Sequence, residues 1–376
     1  MKIVIDARMY GIEHTGIGRY VMELTQNLAK IDRKNDYTLI LRNNYFKSLS
    51  LPANFKKIKG DFRQYSFSEQ ISLPKILKNE KPDLVHFPHF NVPILYRGNY
   101  VVTIHDLLMH KQKGFEATTL SPIVYLIKRL GYRAVFDRAV KKPVKIIVPS
   151  HAVKKELVDY YSLDPDKVSV TPEGVSDLSG GGAVTPLLKK YGIETPYFIY
   201  TGNAYPHKNL KRLIEAIISL NTERRIKAHL VIVSARNFFV KKLEKLISEM
   251  GAGAFVKVLG FLPDEEVGTL YRHSAAFVFP TLSEGFGIPG LDAMEVGTLV
   301  LASEILVLKE VYKEHAIYFN PFDFSSIART MELALEIGAE AREERIAKAR
   351  DFVKRYSWNK MAQETLKIYE SCARIR

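Results

Sequence analysis

The chain alternates short apolar runs with stretches whose apolar residues recur at helical spacing. In the first half, the runs KIVIDA, YTLILR, LVHFP, VVTIH and KIIVPS are rich in Val, Ile and Leu and are bounded by turn or polar residues, which predicts buried strands. Between them, YVMELTQNLAKI and HAVKKELVDYY carry apolar residues three and four positions apart, as in an amphipathic helix. This alternation predicts a parallel sheet with helices on both faces.

The same alternation starts again in the second half. YFIYTG, HLVIVSA, VKVLGF, AAFVFP and LVLAS form a second strand series, with helical patterns such as NLKRLIEAIISL and DEEVGTLYRHS between them. The stretch DLSGGGAVTP has the composition of a flexible linker. We therefore predict domains at 1–185 and 186–376. The segment from about Ala328 to Arg376 has a helical pattern. Packing of its last helix against the first domain is compatible with these boundaries.

The composition fits a two-domain α/β protein. A chain of 376 residues is longer than one domain with a single hydrophobic core usually is. Its 47% hydrophobic and 26% charged residues exclude a disordered chain. Cys372 is the one cysteine, so no disulfide forms within the chain, which indicates a reducing cytoplasm. The opening MKIVIDARMYG predicts a first strand rather than a signal peptide, and no apolar run approaches the roughly 18 residues of a membrane span.

The net charge of +14 belongs mainly to the first half. Residues 1–190 carry 30 Lys and Arg against 18 Asp and Glu, a net +12, whereas residues 191–376 carry 25 against 23, a net +2. Such a basic surface attracts anionic lipids, nucleic acid or acidic saccharides. Zinc-ligand spacing, a helix-turn-helix signature and RNA-binding aromatic motifs are absent from the sequence, which argues against a nucleic-acid-binding protein.

A glycine-containing loop follows the first predicted strand. In HTGIGRY, Gly16 and Gly18 allow close approach of a ligand to the backbone, and the helix that follows presents N–H groups to an anion. A tight strand–helix turn is the alternative. A dinucleotide-binding loop fits less well because the third glycine is replaced at Tyr20, and an NAD-dependent oxidoreductase would need an acid where YTLILRNN supplies Arg42.

The most informative segment is FVFPTLSEGFGIPGLDAMEVG. Here Glu284 stands beside Gly285 and Gly287 at the predicted carboxyl end of a strand, where open α/β sheets bind ligands. A carboxylate accepts hydrogen bonds from sugar hydroxyls, and bare backbone amides suit phosphate or sugar oxygens. Asp292 follows in the first turn of the next helix, where it either reaches ribose hydroxyls or complements the helix dipole.

With these residues the chain resembles glycosyltransferase family 4, a group of retaining transferases with the GT-B fold. The family's pair of Glu residues, seven positions between them, corresponds to EGFGIPGLDAM, with Asp292 in place of the second Glu. TGIGRY, HFPHFNVP, VVTIHDLLMH, IIVPSHAVKKEL, VSVTPEGV and YTGNAYPHKNL follow in the family's order, so the resemblance covers essentially the whole chain. It implies two Rossmann-like, doubly wound domains that face a cleft, with helices at the C-terminus.

The resemblance also implies a donor site in the second domain. Glu284 would contact the donor sugar, and Asp292 would hold its ribose. Lys208 would neutralise the leaving diphosphate, as the family's lysine does. Asn203 stands where the family usually has an arginine, so either His207, Asn209 or another basic residue compensates, or the affinity for phosphate is lower. The remaining donor contacts implied by the resemblance are Gly16, Gly18, Gly285, Phe286 and Gly287.

Three further positions belong to the first half. His105, in TIHD, matches the family's histidine near the donor sugar and the acceptor; a buried histidine at a strand end is the alternative. Asp106 is a candidate for orienting polar groups. Glu173, in VTPEGV, replaces the asparagine that the family more often has, which leaves its role open.

The implied reaction is hexosyl transfer with retention and without a metal or other cofactor. The one Asp-x-Asp spacing, Asp164 to Asp166, stands on a turn, where acids commonly cap. The expected partners are a nucleotide sugar, with GDP-mannose favoured over UDP-sugars, and a saccharide or lipid-linked acceptor of polysaccharide or glycolipid assembly. The basic, aromatic segment from His110 to Pro143 suggests peripheral contact with an anionic membrane at the inner face; an ordinary core-facing helix is equally open. A nucleotide-sugar 2-epimerase is the alternative enzyme.

Overall fold

The computed structural model describes residues 1–111, 122–178, 182–235 and 238–373. They divide into two compact units, Met1–Gly174 with Ser357–Arg376 and Val175–Tyr356. The chain passes from the first unit to the second after Gly174, and a contact on each side of this point stays within its own unit. Gly174 packs so tightly on Trp358 of the first unit that an added Cβ would lie 2.3 Å from the backbone nitrogen of Trp358. Two residues later, Ser176 N–H donates to Asp292 of the second unit. Of the predicted linker, residues 179–181 lie outside the described residues.

The first unit is built on one parallel sheet. Within its described residues, seven strands lie side by side in the order β3-β2-β1-β4-β5-β6-β7. The strands are β1 (Lys2–Ile5), β2 (Asp36–Leu41), β3 (Phe55–Lys59), β4 (Leu84–Phe87), β5 (Tyr100–Thr103), β6 (Lys145–Val148) and β7 (Val168–Val170). The helices are α1 (Thr15–Ile31), α2 (Asn43–Ser48), α3 (Phe67–Glu80), α4 (Leu108–Lys111), α5 (Pro122–Lys141) and α6 (His151–Tyr161). The strand order reverses between β1 and β4, which is a topological switch point of the sheet.

The second unit repeats this plan. Its described residues form a six-stranded parallel sheet in the order β10-β9-β8-β11-β12-β13, which reverses between β8 and β11. The strands are β8 (Tyr197–Thr201), β9 (His229–Val233), β10 (Val256–Leu259), β11 (Ala276–Phe279), β12 (Val300–Ser303) and β13 (Ile317–Phe319). The helices are α7 (Val184–Tyr191), α8 (Leu210–Thr222), α9 (Phe238–Glu249), α10 (Asp264–His273), α11 (Ile288–Glu295), α12 (Leu306–Tyr312), α13 (Phe324–Glu336) and α14 (Ala339–Val353).

The last helix, α15 (Trp358–Ala373), belongs to the first unit and packs against α1, β4 and β6. Its buried face carries apolar residues at helical spacing, including Trp358, Met361 and Tyr369. The Tyr369 hydroxyl also lies 2.5 Å from Nδ1 of His86 in β4. The predicted architecture of two Rossmann-like parallel-sheet domains followed by C-terminal helices is confirmed.

Candidate donor site at the carboxyl edge of the second sheet

The two loops that leave β8 and β11 meet at the switch point of the second sheet. Leu282 N–H donates to the His207 carbonyl over 2.8 Å, which ties the loop after β11 to the loop after β8. The Asn209 side-chain amide holds the same region by donating to the carbonyls of Pro280 (3.0 Å) and Pro321 (2.8 Å). Because β8 and β11 are hydrogen-bonded neighbours, side chains from loops distant in sequence lie together here.

Lys208 and Glu284 form an ion pair across these loops. The Lys208 Nζ lies 2.5 Å from Glu284 Oε1, and the two side chains are only 12% and 14% exposed. The same Nζ lies 5.3 Å from the ring centroid of Phe279, the last residue of β11, so a cation–π contact adds to its orientation. The structure thus brings together the lysine and the first acid that the sequence pattern selects for the donor site.

The glycines after Glu284 shape the backbone that opens α11. Gly287 has φ +102°, a left-handed conformation that side chains disfavour, and it caps the helix. The buried Tyr312 hydroxyl donates to the Gly287 carbonyl over 2.5 Å. Phe286 is buried, and its ring packs edge-on against Tyr356 at 5.4 Å between centroids. The N-terminus of α11 is therefore held rigidly beside Glu284.

Asp292 occupies a buried position within α11. Its Oδ1 accepts a hydrogen bond of 2.7 Å from the backbone N–H of Ser176. The shorter side chain in place of the family's glutamate therefore joins the segment that opens the second unit to the middle of α11. This contact gives Asp292 a structural role that the sequence did not reveal, because Ser176 and Asp292 are far apart along the chain.

Asn203 and His207 flank Lys208 without adding positive charge. The Asn203 carbonyl accepts from the Tyr200 hydroxyl over 2.7 Å, and its side-chain Oδ1 faces the Tyr205 N–H at 3.4 Å. Burial, together with the neighbouring Lys208 charge, lowers the pKa of His207 to about 3. His207 is therefore neutral at pH 7 and does not supply the charge of the arginine that Asn203 replaces.

The glycines of the first unit have different surroundings. Both lie at the start of α1, and an added Cβ at Gly18 would meet the Gly11 carbonyl oxygen at 1.8 Å. At Gly16 nothing lies within 4 Å of such an atom. Gly18 is thus required for close packing of α1 on the preceding loop, whereas Gly16 borders open space.

His105 follows β5 at the carboxyl edge of the first sheet. Its Nδ1 lies 3.1 Å from Glu173 Oε1, and its Nε2 lies 3.0 Å from the Pro88 carbonyl oxygen. The Tyr20 ring of α1 packs against it edge-on at 4.9 Å between centroids. Asp106 accepts from Leu108 N–H at the start of α4. Burial alone would lower the pKa of His105, but the hydrogen bond and charge of Glu173 outweigh it, so the pKa is raised.

The sequence did not single out a buried ion cluster that begins at the carboxyl end of β1. Arg8 donates to Asp6 Oδ2 and to Glu69 Oε1, each at 2.6 Å, and it is almost completely buried. Its Nη1 has no hydrogen-bond partner among the described residues, and the side chain lines a cavity together with Gln64 and other residues at the ends of β1 and β4. The sequence signal that could have revealed this cluster is the presence of Asp6 and Arg8 shortly after the first strand.

The candidate metal motif has a local structural role. Asp164 Oδ1 accepts from the Asp166 N–H over 2.9 Å and thereby caps a short 3-10 helix at Pro165–Lys167. Among the residues that the structure describes, no group of three or more His, Cys, Asp or Glu side chains is arranged to hold a metal ion.

Two family models match the chain in succession. Residues 14–177 match the model described as Glycosyltransferase Family 4, and residues 187–352 match Glycosyl transferases group 1. The chain belongs to the group 1 glycosyltransferases. The predicted family is thereby confirmed, and so is the predicted glycosyltransferase activity.

Individual relatives of this glycosyltransferase cover most of its length. O-antigen chain mannosyltransferase B of Escherichia coli is 25% identical, over 98% of this chain and 100% of the relative. O-antigen chain mannosyltransferase RfbU of Salmonella typhimurium is 26% identical, over 80% of this chain and 76% of the relative. Among solved structures, the Anabaena protein HepE in complex with UDP-glucose superposes with a TM-score of 0.73 at 16% identity, over 99% of this chain and 100% of HepE. The last comparison shows the fold.

Proposed function

We propose that this glycosyltransferase moves a hexose from a nucleotide sugar to a saccharide or lipid-linked acceptor in polysaccharide or glycolipid assembly. Transfer would proceed with retention at the sugar and without a metal ion. The donor would bind the second unit, and the acceptor the first. Mannose from GDP-mannose is favoured because both relatives described above are O-antigen mannosyltransferases.

The observation that carries this proposal is the Lys208–Glu284 pair beside the N-terminus of α11. In glycosyl transfer, positive charge develops on the sugar while negative charge develops on the departing diphosphate. The Lys208 ammonium and the backbone N–H groups at the start of α11 would stabilise the diphosphate charge. The Glu284 carboxylate would accept hydrogen bonds from sugar hydroxyls. This arrangement performs the electrostatic work that other transferases assign to a bound metal.

A thermal-shift panel tests the donor. GDP-mannose and GDP are expected to raise the melting temperature more than UDP-glucose, UDP or ADP, and EDTA should leave the shift unchanged. In Glu284→Gln, the shift by GDP-mannose is expected to fall, while the shift by GDP alone remains, because the carboxylate contacts the sugar. Selective stabilisation by UDP-glucose would identify UDP-glucose, rather than GDP-mannose, as the donor. A response that disappears in EDTA would contradict metal independence.

Helix α5 carries the proposed membrane contact. Leu126 and Leu130 stand one turn apart and are 59% and 60% exposed, and the exposed basic residues Lys128 and Arg133 lie near them. Residues 112–121 of the basic segment lie outside the described residues. Within the part of the chain that the structure describes, no helix has the length and apolar character to cross a bilayer. We propose that α5 places the enzyme peripherally on the inner face of the membrane, in the cytoplasm, where exposed leucines and basic residues favour an anionic surface.

Vesicle co-sedimentation tests this contact. The protein is expected to sediment with vesicles that contain anionic lipid at low salt, and Leu126→Ser combined with Leu130→Ser should reduce the bound fraction several-fold because each change removes apolar insertion. A matched control is Tyr160→Ser, since Tyr160 is equally exposed on α6. Equal binding by the α5 variant and the wild type, or no binding at all, would contradict a role of α5.

A further inference from the structure

Three histidines lie near one another at the carboxyl ends of two neighbouring strands of the first unit. His86 is in β4, His89 follows that strand, and His105 follows β5, which pairs with β4. Each is largely removed from solvent, so each would be expected to be neutral on burial alone. Their hydrogen-bond partners differ, and these partners determine whether each imidazole carries one proton or two.

Both ring nitrogens of His105 face groups that only accept. Nδ1 lies 3.1 Å from a carboxylate oxygen of Glu173, and Nε2 lies 3.0 Å from the carbonyl oxygen of Pro88. A neutral imidazole has one N–H and one lone pair, so it satisfies one of these contacts and sets its lone pair against the other oxygen. A doubly protonated ring donates to both. The geometry therefore selects the imidazolium.

His86 shows the opposite arrangement. Its Nδ1 lies 2.5 Å from the Tyr369 hydroxyl, and its Nε2 lies 2.9 Å from the Thr103 hydroxyl. Hydroxyl groups both donate and accept, so a neutral ring is satisfied in either tautomer. Burial and the charge of His105 lower the pKa values of His86 and His89 to about 3. Two neutral histidines thus lie close to one that is charged.

The electrostatic surroundings of His105 agree with its geometry. The carboxylate of Asp106 acts in the same direction as that of Glu173, although it is a smaller influence. The Tyr20 hydroxyl is bonded to Thr103 and has a raised pKa because of its burial, so it remains neutral. The charge opposite the ring therefore comes mainly from Glu173.

We propose that Glu173 is a positioning residue that keeps His105 doubly protonated, and that this charged form is the one that supports transfer. The inference rests on the proposed function. Since both ring protons are committed to Glu173 and Pro88, His105 does not act as a general base. It is a cation held in one orientation by Glu173 and by the Pro88 carbonyl, at the carboxyl edge of the first sheet. Because the pKa is raised in the folded protein, the charge is present at low pH and is lost as the pH rises through that pKa.

The test compares the wild type with Glu173→Gln by two readouts. Nitrogen-15 NMR of labelled histidine follows the His105 ring directly, with the signal assigned by its loss in His105→Asn. We expect the wild-type ring to stay cationic above the ordinary midpoint of about 6.5, and the midpoint to move to lower pH in Glu173→Gln. Glutamine keeps an oxygen acceptor of the same length, so the change removes charge while the ring retains its contact.

The second readout is the pH profile of kcat/KM. The alkaline decline is expected to move to lower pH in Glu173→Gln by the same amount as the NMR midpoint, which is about a 10-fold loss on that limb for each unit. Glu370→Gln, an exposed change on α15, should leave both readouts at wild-type values.

A wild-type His105 midpoint at or below about 6.5, or a midpoint unchanged in Glu173→Gln, would overturn the inference. A shifted midpoint with an unshifted pH profile would overturn the role in transfer. The NMR titration needs no substrate, so its result is independent of the donor and acceptor assigned above.

Discussion

Replacing Lys208 by methionine is expected to lower kcat/KM for transfer by a factor on the order of 10²–10³, the usual effect of removing one preorganised group that stabilises developing charge. Methionine keeps much of the length and apolar contact of the side chain but removes the ammonium that we propose to face the departing diphosphate. Asn203 and the neutral His207 leave no obvious second cation in the loop to replace it. The loss should appear mainly in kcat, because negative charge on the diphosphate increases as the sugar departs.

Steady-state kinetics with the donor identified by the thermal-shift panel checks this expectation. Lys211→Met provides a matched control, since Lys211 lies on α8, is 67% exposed and forms a long contact of 3.9 Å with Glu215. Its kcat should stay within about twofold of the wild type, as exposed ion pairs contribute little. A Lys208→Met enzyme with wild-type kcat would show that the diphosphate is stabilised elsewhere.

The sequence predicted the interior of both sheets because central parallel strands are buried on both faces. KIVI of β1 and AFVF of β11 are continuous apolar runs for this reason. Edge strands have one neighbour and carry charge. In β3, Phe55 is buried while Lys56 and Lys59 are exposed, so the run FKKIK does not have the apolar pattern of a buried strand. The edge strand β13 was missed as well, because it spans three residues with partly exposed side chains.

The candidate site could be predicted where function imposes a local pattern. Glu284 and its glycines stand in one short segment, and the sequence places Lys208 in a loop after a strand. Contacts between distant residues left no such pattern. The partner of His105 is Glu173, 68 positions away, and the partner of Asp292 is a backbone N–H at Ser176, which has no sequence signal at all. Only the folded chain brings these groups together.

Gly287→Ala is expected to lower the stability of the second unit strongly. The added Cβ would lie 2.5 Å from the Tyr312 hydroxyl oxygen and 2.8 Å from Leu308 Cδ2, and the residue has φ +102°. Overpacking and an unfavourable backbone each cost about 1–3 kcal/mol, so we expect a loss of about 2–6 kcal/mol in the free energy of unfolding. Urea denaturation followed by circular dichroism measures it. Gly253→Ala is the control, because nothing lies within 4 Å of its added Cβ.

The clash and the backbone strain can be separated by a double-mutant cycle with Tyr312→Phe. Removing the hydroxyl eliminates the shortest contact but leaves Leu308 and the positive φ, so the double variant should regain part of the lost stability. Alone, Tyr312→Phe removes a buried hydrogen bond to the Gly287 carbonyl and should cost about 1 kcal/mol. Strictly additive losses would mean that the clash is relieved by movement of the loop. In that case the free energy of nucleotide binding should change more than the free energy of unfolding, because the same loop positions Glu284 and the first turn of α11.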